Sequence, residues 1–81
     1  MSLLRAIEIC LNATNVPPSR FGRDSVHDPR LVHDLRRGRQ PGGRMERRVR
    51  AHVAGLIARL PERERRDAER RLRAGGGFPC E

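Results

Sequence analysis

The segment Pro18 to Gly38, PSRFGRDSVHDPRLVHDLRRG, constrains this chain more than any other. It reads as two short helices with a tight turn at His27-Asp28. Pro18 suits a first helical turn, where its missing N–H is harmless, and the helix it opens is expected to reach about Val26. Phe21 is the core anchor of that helix. Gly22 beside it costs about 1 kcal/mol against alanine inside a helix. A glycine there predicts close approach of the neighbouring helix, with no room for a larger side chain. The following helix has the clearest start in the chain, with Asp28 as N-cap and Pro29 as first helical residue. Leu31, Val32 and Leu35 should pack inward while Arg30, His33, Asp34 and Arg37 project elsewhere, and Gly38 suits the stop.

Three more helices complete the pattern. Ser2 can cap a first helix to about Ala13, whose apolar face is Leu3, Leu4, Ile7, Cys10 and Leu11. Val16-Pro17-Pro18 enforces the break after it. The fourth helix, about Arg44 to Leu60, carries Met45, Val49, Val53, Leu56, Ile57 and Leu60 as an amphipathic stripe. The fifth, about Pro61 to Ala74, is highly charged, with Glu62–Arg66, Asp67–Arg71 and Glu69–Arg73 as i,i+4 pairs in the favourable order. Its apolar content is only Ala68, Leu72 and Ala74, so it is expected to pack weakly or to lie against a second subunit. No run suggests strands, and no internal repeat is visible. The expected architecture is all-α, a compact four- to five-helix domain over residues 1–74 with a flexible tail at 75–81.

Charge then narrows the partner. All 18 basic residues are arginine, and the formal charge is +8. From Arg36 to Arg59 eight arginines stand against the single acid Glu46, so the positive field is concentrated just after the third helix. Arginine offers a planar fork of donors suited to phosphate and to guanine edges, and a field of this kind points to a polyanion. Only Phe21 and Phe78 are aromatic, which disfavours single-stranded partners that need stacking platforms. A short helix with an apolar underside and an arginine-rich upper side suits the major groove of duplex DNA.

Arg30, His33 and Arg37, along the outer side of the third helix, are the candidates for base contact. Ser19, Arg20, Arg23, Arg36, Arg39, Gly43 and Arg44 are the candidates for phosphate contact, since helix N-termini suit anions and Gly42-Gly43 allow close backbone approach. Asp34 is awkward at such a surface: it could accept from cytosine N4 or hold an arginine in position, and in an ordinary solvated face it would pair with Arg30 or Arg37 at helical spacing. His27, His33, His52, Cys10 and Asp28 match no zinc spacing. No nucleophile–base pair, glycine-rich phosphate loop or paired-acid arrangement stands out. A binding protein without metal or cofactor is expected, and not an enzyme. Cys10 lies in an apolar periodic run and should be a buried thiol behaving as a small hydrophobe. His52 should be half-buried and structural. No apolar run approaches a membrane span, and Arg5 and Glu8 break any signal-peptide pattern. The expected location is cytoplasmic, at the nucleoid.

Residues from about Ser2 to Leu60 resemble the lambda-repressor-like (XRE/Cro) helix-turn-helix family. Gly22 beside Phe21, then Val32 and Leu35, stand at the spacing that family uses to lock its two helices, and Leu35-Arg36-Arg37-Gly38-Arg39-Gln40-Pro41 is similar to its glycine-containing loop. The turn, where the family usually has glycine, holds Val26-His27. Ser19-Arg20 and Pro29-Arg30 stand where it often has glutamine. The resemblance implies a small regulator of phage or phage-derived type. Such a protein would read double-stranded DNA through its third helix as a homodimer on a palindrome, with the fifth helix and part of the fourth as the dimer interface. Two other functions fit the same helices. One is a protein-interaction module for a polymerase subunit, a phage protein or a toxin; the other is a sequence-blind DNA-binding protein.

Overall fold

A computed structural model of the chain describes residues 2–74. It holds five helices: α1 (Leu3–Thr14), α2 (Pro18–Val26), α3 (Leu31–Arg36), α4 (Gly43–Ala58) and α5 (Glu62–Ala74). The domain is all-α, with no strand among the described residues. The tail expected at 75–81, with Phe78 and Cys80, lies outside them.

Local chemistry sets the helix ends. The Arg5 backbone N–H donates to Ser2 Oγ at 3.1 Å, so Ser2 caps α1 as its position suggests. Asn15 closes α1 in the left-handed region, at φ 60°. His27 does the same for α2 at φ 60°, its N–H donating to the Arg23 carbonyl at 2.9 Å. Histidine thus takes the place a glycine commonly fills, at a conformational cost glycine would not bear.

The start of α3 departs from expectation. Asp28 Oδ1 accepts from the Arg30 N–H at 3.0 Å, the bond of an Asx turn. The Leu31 N–H then donates to the Asp28 carbonyl at 3.1 Å, an i→i+3 bond, and the first i→i+4 bond is Asp34 N–H to Arg30 O at 2.8 Å. Asp28 and Pro29 therefore form a tight turn, and α3 proper begins two residues later than proline alone suggests. At the other end Gly38, at φ 103°, reverses the chain. The Arg39 N–H donates to Asp34 O at 3.0 Å and the Gly38 N–H to Leu35 O at 3.1 Å, the paired bonds of a Schellman stop. α4 ends at Ala58 and not at Leu60. The Arg59 and Leu60 N–H groups turn to i−3 carbonyls, because Pro61 disfavours helical geometry in the residue before it.

One core serves all five helices. Phe21, Ile7, Leu31, Val32, Val49, Val53 and Cys10 are its largest fully enclosed side chains. α1 packs on α3, α4 and α5, and α2 packs on α3 and α4. His52 from α4 meets the Phe21 ring edge-on, with centroids 5.2 Å apart. Burial pushes the Cys10 thiol up to about 11, which leaves it protonated and unreactive at neutral pH.

The structure shows how the fifth helix, expected to pack weakly or to lie against a second subunit, is seated on its own chain. α5 does not need a second subunit to cover Ala68 and Leu72. Ala68 and Leu72 are each only 2% exposed, and the helix packs on α1 and α4 of its own chain. Two small-footprint contacts on one helical line suffice, because α1 and α4 present Ile9 and other apolar side chains to the same core.

A bidentate ion pair ties α3 to α1. Arg36 Nε and Nη2 donate to the two carboxylate oxygens of Glu8, each at 2.8 Å. The Arg36 hydrogen bonds hold Glu8 below the ordinary glutamate value of 4.5, outweighing its partial burial. A carboxylate depressed in the folded state contributes stability above its unfolded pKa and loses it as pH falls through the folded one. Thermal melts from about pH 5 down to about pH 3 should therefore show a steeper loss for the natural protein than for Glu8→Gln. Equal slopes would mean that the pair contributes nothing to folding.

Candidate functional site

The turn between α2 and α3 works because Gly22 has no side chain. A Cβ built there would collide with the Asp28 carbonyl oxygen and would sit 3.1 Å from Leu31 Cβ. The close approach expected from Gly22 is therefore present, and it fixes the angle at which α3 leaves the turn.

α3 then divides cleanly. Leu31, Val32 and Leu35 are buried, while Arg30, His33, Arg36 and Arg37 are exposed. The three residues expected to contact bases share this outer side. Arg30 stands at the N-cap of α3, His33 in its middle and Arg37 at its C-cap. None of the three makes a side-chain ion pair or hydrogen bond among the described residues, so their polar tips are directed to solvent.

The residues expected at phosphates divide into two groups. Ser19 and Arg23 on α2, and Gly43 and Arg44 at the start of α4, are exposed. Among the described residues, Arg23 and Arg44 have no carboxylate partner. Arg20 faces Asp24 across one turn at 3.5 Å, with both side chains well exposed. Such a pair contributes little and yields readily to another anion. Gly43 is the first residue of α4, with Gly42 extended before it at the N-cap. The Arg47 guanidinium folds back within 3.8 Å of where a Gly43 side chain would begin, adding positive charge to a helix N-terminus that already favours anions.

Arg36 and Arg39 are engaged inside the protein. Arg36 is the partner of Glu8 described above. Arg39 Nη1 donates to Asp28 Oδ2 at 3.1 Å and to Asp34 Oδ2 at 3.4 Å, so a single guanidinium spans both carboxylates of this region. The partner of Asp34 is thus Arg39, and neither Arg30 nor Arg37. The cause is the Schellman stop: Gly38 turns the chain back, and residue 39 returns over Asp34. Asp28 is held below its ordinary value of 3.8, first by the Arg30 backbone N–H and then by Arg39, so it stays charged and keeps its two donors. The consequence is electrostatic. The two acids on this face are answered by Arg39, and Arg30, His33 and Arg37 are left as its uncompensated polar groups.

Sequence reasoning missed these two clamps. The Arg36–Glu8 pair joins residues 28 apart, and no periodicity encodes such a distance. The Arg39–Asp34 pair is five apart, off the helical intervals, and becomes visible only once Gly38 is known to reverse the chain.

Among the described residues no three histidine, cysteine, aspartate or glutamate side chains gather closely enough to hold a metal ion. No described helix is long and apolar enough to cross a membrane. No protein-family model, no curated protein and no solved structure matches the chain.

Proposed function

We propose that this protein is a sequence-specific double-stranded DNA-binding regulator of the lambda-repressor-like helix-turn-helix type, acting at the nucleoid. α3 enters the major groove, and α2 with the start of α4 holds the phosphate backbone. The observation that carries this reading is the outer face of α3. Arg30, His33 and Arg37 project from a six-residue helix seated firmly by Leu31, Val32 and Leu35, while Arg39 answers both nearby carboxylates. A rigid helix with free guanidinium forks at both ends suits two-point recognition of guanine O6 and N7. Ser19, Arg20, Arg23, Gly43 and Arg44 supply the backbone contacts that set register without reading sequence. Arg36 and Arg39 contribute as positioning residues, since their donors are taken by carboxylates.

One copy reads few base pairs, so a homodimer on a palindrome fits the proposal best. Its interface would be polar, because no large hydrophobic side chain is exposed among the described residues. Selection of bound sequences from a random duplex pool tests the reading directly. The expected result is a G-containing motif in two inverted halves about one helical turn apart. A pool that returns no motif, with affinity equal for all duplexes, would leave only a sequence-blind DNA-binding protein. Tight capture of a protein partner with no saturable duplex binding would leave the interaction module.

A further inference from the structure

α5 carries a second cationic surface that the proposed recognition face does not use. Arg63, Arg66, Arg70 and Arg73 recur at intervals of three, four and three, which places all four on one side of a helix. All four are exposed. At about 100° per residue that side lies nearly opposite the line of Ala68 and Leu72, which seats α5 on α1 and α4. The stripe therefore lies on the outer side of α5, with Arg63 and Arg70 also bordering the groove between α5 and α1. It runs about 15 Å, long enough to follow roughly three phosphates of one strand. A shallow groove lined by Glu62, Arg63, Arg66 and Arg70 opens on it.

The acids of α5 sit at the edges of this stripe. Arg66 meets Glu62 at 2.7 Å and Arg70 meets Asp67 at 4.0 Å, yet the two arginine side chains remain 71% and 76% exposed. Pairs so open to water hold little energy, and phosphates can displace their carboxylates. Arg63 and Arg73 have no carboxylate partner among the described residues.

We infer that this stripe binds the backbone of a second DNA duplex, so that one protein bridges two segments. The inference rests on the proposed DNA-binding function and extends it. Three features select a duplex over other anions. α5 has no aromatic side chain on which single-stranded bases could stack. Ala68 and Leu72 are buried against α1 and α4, so neither can enter a lipid surface. No exposed large hydrophobic residue is present among the described residues to anchor a protein partner. What remains is a solvated row of guanidinium groups, complementary to phosphate and indifferent to sequence.

The test is a capture assay. A duplex carrying the selected site is tethered to beads, the protein is added, and uptake of a free labelled duplex of unrelated sequence is measured. The natural chain should capture the second duplex. The quadruple variant R63Q/R66Q/R70Q/R73Q should bind the tethered duplex within about threefold of the natural affinity, yet capture at least about tenfold less, with a salt exponent for capture lower by about three. The double variant Glu62→Gln with Asp67→Asn should capture more than the natural chain. Circular dichroism checks that each variant keeps its helices. Undiminished capture by the quadruple variant overturns the inference. So does an equal loss of tethered-duplex binding, which would place the stripe within the first footprint. A lower mass for the quadruple variant in sedimentation would also overturn it, because assembly and not DNA would then use the stripe. Binding of phosphatidylserine vesicles in place of the second duplex would assign the stripe to lipid. A natural chain that binds one duplex and captures no second overturns this inference alone, whereas one that binds no duplex overturns the proposed function as well.

Discussion

Gly22→Ala should destabilise the domain by about 3 kcal/mol, the upper range for overpacking a tight interior, and lower its thermal midpoint by more than about 10 °C. The added methyl meets backbone, not a side chain that can swing aside. Its first obstacle is the Asp28 carbonyl oxygen, and Leu31 Cβ lies 3.1 Å away. That carbonyl accepts from the Leu31 N–H at 3.1 Å, so it cannot rotate without opening the turn before α3. Relief requires α2 and α3 to separate, which would loosen Phe21, Leu31 and Val32 together. Gly55 supplies the comparison. It lies in α4, is exposed, and nothing comes within 4 Å of a Cβ built there. Gly55→Ala should therefore stabilise by up to about 1 kcal/mol, the helical preference of alanine over glycine. Denaturant or thermal unfolding of the two variants checks the pair. Similar behaviour in both would mean that α2 and α3 do not approach as closely as described.

Arg30→Ala combined with Arg37→Ala should weaken binding to the selected duplex by about a hundredfold or more, at ~1–3 kcal/mol for each two-point contact. Binding to a scrambled duplex should fall much less. Arg44→Ala should lower both affinities by the same modest factor and reduce the salt exponent by about one, the behaviour of a phosphate contact. Neither variant should lose more than a few degrees of thermal midpoint, because these side chains are exposed and have no carboxylate partner among the described residues. Arg36→Ala should behave differently. It removes the bidentate tie to Glu8, so its effect should appear in stability before it appears in sequence preference. Fluorescence anisotropy on matched and scrambled duplexes separates these outcomes. Equal losses on both duplexes for the Arg30 and Arg37 double variant would remove α3 from base reading.

The local punctuation of the chain was readable because its causes are local. Ser2, Pro18, Gly38 and the proline before α5 act through their own dihedrals and N–H groups, and each marks a helix end within a residue or two of the observed one. The inward set of α4, Val49, Val53 and Ile57, was readable because burial follows the helical period. The start of α3 was less readable. Whether Asp28 and Pro29 open a helix or close a turn depends on where the Asp28 carbonyl is held, and Gly22 on the neighbouring helix decides that. The fate of α5 was the least readable. Three apolar residues, Ala68, Leu72 and Ala74, on a charged helix do not show whether its own chain or a second copy will cover them.

The sequence by itself determined a small all-α bundle, the inward residues of α3 and α4, and an arginine excess suited to a polyanion. These follow from dihedral preference, helical period and composition, none of which needs a distant neighbour. The tertiary structure alone decided which arginines keep their charge open to solvent. Arg36 and Arg39 differ from Arg30 and Arg37 by a few positions in the chain, yet Glu8, Asp28 and Asp34 claim the first two and leave the others free. A carboxylate's choice of partner depends on separations of a few ångströms in space, and only the packing of α1, α2 and α3 sets them.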